Sequence, residues 1–124
     1  MTVGRLTQLI MDCDDAKQLA TFWQAVLDLP EPEGDSEWPT LRWEPVGRFS
    51  FHRVDGYRPP AWPGERGEQH VHFDLLVADL HNANGAVEKA GARPLTDVQD
   101  PGPKAWQVFA DPAGHPFCLM SVPE

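Results

Sequence analysis

The stretch Glu68-Gln69-His70-Val71-His72-Phe73-Asp74-Leu75-Leu76-Val77 alternates in polarity. Val71, Phe73, Leu75 and Val77 fall on one side; His70, His72 and Asp74 fall on the other. A period of two marks a half-buried strand, because successive side chains leave opposite faces of the pleat. One face requires a core. The other carries two imidazoles and a carboxylate, so chemistry depends on which residues join it.

Working outward, Asp79 can cap a helix over about 80–90, ended by Gly91. Strands are expected at 93–98, 105–110 and 117–122, with Asp111-Pro112-Ala113-Gly114 as a tight turn. The same order stands upstream. A strand covers 5–12, with Gln8 and Asp12 on one face. Asp14 or Asp15 then caps a helix over 16–27, where Leu19, Phe22, Trp23, Val26 and Leu27 follow the spacing of one apolar stripe. Pro30 and Pro32 end it. Residues 31–36 suit either a short edge strand or a loop. Strands follow at 39–43 and 48–54, the latter with Phe49 and Phe51 opposed to Ser50 and His52. Gly and Pro crowd 55–67, which reads as a linker and a candidate covering loop.

Two copies of one pattern, each too small to bury its helix alone, point to a duplicated α+β domain. The expected organisation is a single domain over 1–124: a first module over about 1–55, a linker over about 55–67 and a second module over about 68–124. In the internal match Gln8 maps onto His72 and His52 onto Cys118.

Composition narrows the function. The 124 residues are 41% hydrophobic and carry a formal charge of -9. That charge disfavours nucleic acid, whose phosphates it repels. No apolar run approaches the roughly 20 residues of a membrane span. The N-terminus lacks the pattern of a secretory signal, so cytoplasmic residence is expected. Cys13 and Cys118 are too few for a disulfide framework and read as buried thiols.

Several short motifs, in order, resemble the vicinal-oxygen-chelate superfamily of glyoxalase I, extradiol dioxygenases and bleomycin- and fosfomycin-resistance proteins. They are Met11-Asp12-Cys13-Asp14-Asp15 with Ala20, Phe22 and Trp23, then His72-Phe73-Asp74-Leu75, Val77-Ala78-Asp79-Leu80 and Lys89-Ala90-Gly91-Ala92. The last is Asp111-Pro112-Ala113-Gly114 leading into Phe117-Cys118-Leu119. The chain looks most like the glyoxalase-like domains of actinobacteria. The resemblance implies two βαβββ modules whose strands form a U-shaped mixed sheet around a cavity, with helices on the convex face. It also implies metal-ligand positions at Gln8, His52, His72 and Cys118. Two imidazoles and a thiolate would suit zinc. Alternatively Cys118 is a small hydrophobe and the histidines line a pocket.

Glyoxalase I and extradiol dioxygenase activities are not expected, because the carboxylate ligands those reactions need are missing. Asp74 and His72 are the candidate catalytic pair, Asp74 either orienting the imidazole or acting as a base. A salt bridge of Asp74 to Arg42 or Arg53 is the competing reading. His70 reads as solvated, and His81 and His115 as exposed. Trp23 belongs to the core. Trp43, Trp62 and Trp106, with Arg42, are candidate ligand contacts, since aromatics on a curved sheet can stack on a planar molecule. The expected function is a small-molecule-binding domain acting on an oxygenated metabolite; the alternative is a metal-free module that sequesters an aromatic or cationic molecule. A homodimer is expected.

Overall fold

The computed structural model describes residues 2–62 and 71–122. His70 and its neighbours at 63–70 lie outside the described residues. The chain divides into two compact units, Met1–Arg58 and Pro59–Glu124, with the boundary inside the expected linker.

The first unit contains β1 (Gln8–Cys13), α1 (Ala16–Leu27), β2 (Thr40–Trp43) and β3 (Gly47–Arg53). Its sheet runs β1-β3-β2, with β1 parallel and β2 antiparallel to β3. Residues 31–36 contribute only an isolated bridge, Glu33 to Thr40. Asp15 caps α1 by accepting from the Gln18 N–H at 3.0 Å. The helix stops at Asp28, which adopts the left-handed conformation (φ 52°), before either proline is reached. Leu19, Phe22 and Trp23 are buried against the sheet. Trp23 meets Phe22 edge-on at 5.2 Å and Phe49 at 5.8 Å, and Phe49 meets Phe51 at 4.5 Å. This aromatic chain is the core of the unit.

The second unit contains β4 (Phe73–Leu76), α2 (Leu80–Ala90), β5 (Arg93–Pro94), β6 (Trp106–Ala110) and β7 (Pro116–Met120). Its order, β4-β7-β6-β5, repeats that of the first unit, with the first and last strands parallel and adjacent. Asp79 caps α2, and Gly91 closes it at φ 125°. The architecture is therefore α+β, two small mixed sheets each carrying one helix.

Two strands fall far short of the length the sequence pattern predicts, β4 and β5. β4 begins at Phe73, so Val71 and His72 precede it. The Val77 N–H donates to the Met120 carbonyl at 2.8 Å, which shows that even-numbered β7 residues turn their backbone groups toward β4. Upstream the series continues with Cys118 and then residue 116, and Pro116 has no N–H. β5 ends at Pro94; beyond it the Leu95 and Thr96 N–H groups both point at the Val108 carbonyl, at 2.9 and 3.4 Å. Such sharing interrupts a regular ladder.

Candidate functional site

In each sheet, residues paired across strands share a face. In the first unit Leu9, Met11, Leu41, Phe49 and Phe51 face α1. Gln8, Ile10, Asp12, Thr40, Arg42, Arg48, Ser50 and His52 occupy the opposite face. Ser50 is fully buried there and central. Gln8 Nε2 donates to Ser50 Oγ at 3.0 Å, and Ser50 Oγ lies 2.8 Å from Thr40 Oγ1. This row spans all three strands.

His52 sits one pleat further along β3. Its ring lies 4.2 Å from that of Trp38, and its Nδ1 lies 3.6 Å from Asp12 Oδ1. That is ion-pair distance, beyond hydrogen-bond length. The Cys13 thiol donates to the His52 carbonyl at 3.6 Å, which fixes the backbone from the helix side.

In the second unit Phe73, Leu75, Phe109, Phe117, Leu119 and Gln107 face α2. The Gln107 side chain accepts from Asn84 of α2 and donates to the Thr96 carbonyl. The opposite face carries Asp74, Leu76, Trp106, Val108, Cys118 and Met120. It is largely apolar. Val108, Cys118 and Met120 form a buried cluster with Trp62 and Leu95 packed against it. His72 Nε2 lies 3.3 Å from Asp74 Oδ1, with both side chains nearly half exposed, at 48% and 43%. Of the readings open for Asp74, the structure therefore pairs it with His72. Arg42 is instead beside Glu33 at 3.3 Å, and Arg53 beside Asp55 at 2.8 Å. The hydrogen bond to Asp55, with the charges of Asp55 and Glu37, raises the Arg53 pKa, so it remains a cation.

The candidate metal positions divide between the units: Gln8 and His52 in the first, His72 and Cys118 in the second. Within the first, Gln8 stands opposite Arg48 and His52 opposite Asp12, so the two are separated along the sheet by two pleats. The Cys118 thiol donates to the Leu119 carbonyl at 3.5 Å inside the apolar cluster. In such surroundings a cysteine packs as a small hydrophobe. Among the described residues, no three His, Cys, Asp or Glu side chains are grouped as an ion would require.

The register also corrects the internal match. Gln8 precedes its helix cap Asp15 by the same interval as His72 precedes Asp79. Gln8 is level with Arg48, and the β4–β7 ladder brings His72 level with Pro116. Ser50, not His52, then matches Cys118, and His52 matches Met120. The expected mapping is off by one pleat.

Of the aromatic candidates, Trp62 and Trp106 lie on the second unit's face opposite α2, Trp62 against the cluster and Trp106 more exposed. Trp43 leans on Phe49 at 5.6 Å and, with Arg42, lines a cavity of about 510 Å³ that also includes Leu29 and Pro30. His115 is not exposed as expected. Its side chain is 19% accessible and Nδ1 lies 2.9 Å from Oδ2 of Asp111, whose side chain is fully buried. Asp111 Oδ1 also accepts from the Ala113 and His115 N–H groups, both at 2.9 Å. One carboxylate thus organises the whole turn. The Asp-Pro-Ala-Gly sequence announced the turn, and a histidine one residue beyond it was the available signal for this pair.

Comparison with known proteins places this geometry. A family profile described as a glyoxalase-like domain matches residues 8–120. A search of curated protein sequences gave no significant match. Among solved structures, the fosfomycin resistance protein FosX from Mesorhizobium loti is similar at TM-score 0.69 and 17% identity, over 99% of this chain and 95% of that one. Oxidase ChaP-H2 is similar at TM-score 0.68 and 18% identity, over 98% and 96% of the two chains. A glyoxalase-related enzyme from Fulvimarina pelagi gives TM-score 0.69 and 13% identity, over 95% and 88%. At these identities the structures share the fold, and with the profile spanning both units from β1 to β7, the chain belongs to the glyoxalase-like domain family.

Proposed function

We propose that this chain is a small-molecule-binding domain whose ligand meets the imidazole–carboxylate pair of the second unit, His72 with Asp74; the first unit carries a pair of its own, His52 with Asp12. The observation that carries the reading is the second pair, with His72 Nε2 3.3 Å from Asp74. Half-exposed ion pairs of this kind add little to stability, about 0–1 kcal/mol. With a small turn of the ring, Asp74 would accept from Nε2–H, leaving the lone pair on Nδ1 to take a proton from, or accept a hydrogen bond from, an oxygenated metabolite. The His52 pair has the opposite sense, with Asp12 beside Nδ1. In the second unit Trp62 and Trp106 supply aromatic surface for a planar ligand, and in the first the Trp38 ring lies tilted against His52.

The environment of Cys118 favours a metal-independent site. The zinc reading with Gln8, His52, His72 and Cys118 is kept apart by elemental analysis of protein purified without chelator. Stoichiometric zinc lost in Cys118→Ser would replace the present reading. Otherwise, thermal-shift screening against aromatic, cationic and oxygenated metabolites should give a stabilising ligand. Its effect should fall in His72→Asn and Asp74→Asn. Indifference of the ligand response to both substitutions would sink the assignment. Turnover of the same ligand, lost in Asp74→Asn while binding persists, would make the domain an enzyme. Cytoplasmic residence and a homodimer complete the proposal, the latter read by light scattering.

A further inference from the structure

A second site is carried by the hairpin end of the first sheet and does not depend on the ligand proposed above. Arg42 and Arg48 are direct cross-strand partners of β2 and β3, so their guanidinium stems leave the same face from opposing positions. Like charges placed opposite each other destabilise a sheet. Arg5, in the chain leading into β1, lines the same groove, a cavity of about 640 Å³ completed by Thr7, Val46 and Gly47. Gly47 brings these parts together. It holds φ +113°, and a Cβ there would lie 3.0 Å from the Thr7 carbonyl oxygen. The Arg48 N–H donates to that same carbonyl at 3.1 Å.

The charge is unusual for this chain. Three of its 10 basic residues meet at one groove although the formal net charge is -9. Only Arg42 has a carboxylate partner, Glu33; among the described residues Arg5 and Arg48 have none. Glu44 is the one acidic lining residue; with Glu33 beside Arg42 counted as well, the three guanidiniums still leave an excess of one positive charge. Planar guanidinium forks suit paired oxygens, and charge-assisted hydrogen bonds to them are the strong ones. We propose that this groove binds a small oxyanion of about two negative charges, such as a phosphate monoester or a dicarboxylate. An extended polyanion is disfavoured by the surrounding acidic surface.

The test is titration of the intact chain with inorganic phosphate and, separately, succinate. Amide NMR shifts are followed in low-salt buffer, with chloride added to equal ionic strength as the control. Saturable shifts are expected at Thr7, Val46 and Gly47. Arg48→Gln and Arg5→Gln should each weaken binding about tenfold or more, while Lys17→Gln on α1 leaves it unchanged. Arg5 lies outside the sheet, so its substitution keeps the test valid if the Arg48 variant folds poorly. In anion-free buffer Arg48→Gln should melt no lower than the parent, because it relieves the repulsion with Arg42. Response to phosphate alone identifies a phosphoryl group, and response to succinate alone a dicarboxylate; either supports the site. Absent saturation, an equal response to chloride, or binding untouched by both Arg substitutions overturns it.

Discussion

The two units share a strand order and an apolar helix-side face, but they differ in the face turned away from the helix. In the first, the helix side is an aromatic core built on Trp23, Phe49 and Phe51, and the other side is the polar row of Gln8, Ser50 and Thr40. In the second, α2 buries only Val87 and meets the sheet partly through the Asn84–Gln107 amide contact. Its far side carries the apolar cluster around Cys118. One topology thus tolerates a polar or an apolar far face, because backbone pairing sets the strand order and side chains need only be satisfied locally. On that face equivalent positions are chemically unlike, and Ser50 against Cys118 shows it most directly, whereas the helix side keeps Phe49 against Phe117.

The largest expected effect is on the aromatic side of the first unit. Trp23→Ala should cost about 3–5 kcal/mol, measured by urea denaturation. By contrast Val87→Ala, the buried residue of α2, should cost about 1–2 kcal/mol, the transfer of two methyl groups plus a small cavity. Equal losses would mean that α2 is held as firmly as α1. Next comes the matched pair of positions. Ser50→Val strands the Gln8 amide and the Thr40 hydroxyl and should cost about 1–3 kcal/mol. Cys118→Val keeps an apolar group of similar size and should change stability by less than about 1.5 kcal/mol. A larger loss for Cys118→Val would reverse the assignment of polar and apolar faces.

The histidines extend the comparison to smaller effects. His115→Phe removes the ring partner of the buried Asp111 and should cost about 1–3 kcal/mol, since that carboxylate keeps its two backbone donors. His52→Phe preserves an aromatic ring beside Trp38 and loses only a half-exposed ion pair. Its melting curve should move by no more than about 0.5 kcal/mol equivalent.

Much of the fold was legible because it rests on local rules. Asp15 and Asp79 announced the helix starts and Gly91 a helix end, and the apolar stripe of α1 is continuous. Strand lengths were not legible where they depend on a distant partner. β4 is cut short by Pro116, far along the chain, and β5 by a carbonyl shared at Val108. Some side-chain directions were legible: His52 was expected on the polar side of its strand, opposed to Phe49 and Phe51, and His72 on the same side as Asp74. Which residues stand level was not, because register is fixed by hydrogen bonds between strands. A shift of one pleat leaves the alternation in the sequence unchanged. The Asp111–His115 pair escaped for a similar reason, since burial of a turn depends on what covers it.

Pro116 has one further consequence, for the timing of motion around His72. The ladder that pins Leu75 to Val77 ends just short of this histidine, and among the described residues neither Val71 nor His72 donates a backbone hydrogen bond. Segments without such bonds open at little free-energy cost. Amide hydrogen exchange should therefore be fast at Val71 and His72 and slow at Leu75 and Val77, whose N–H groups face β7. An imidazole among the fast residues can swing while its carboxylate neighbour, Asp74, stays anchored in the sheet. A bound ligand that grips His72 would appear as slowed exchange at this end of β4 alone.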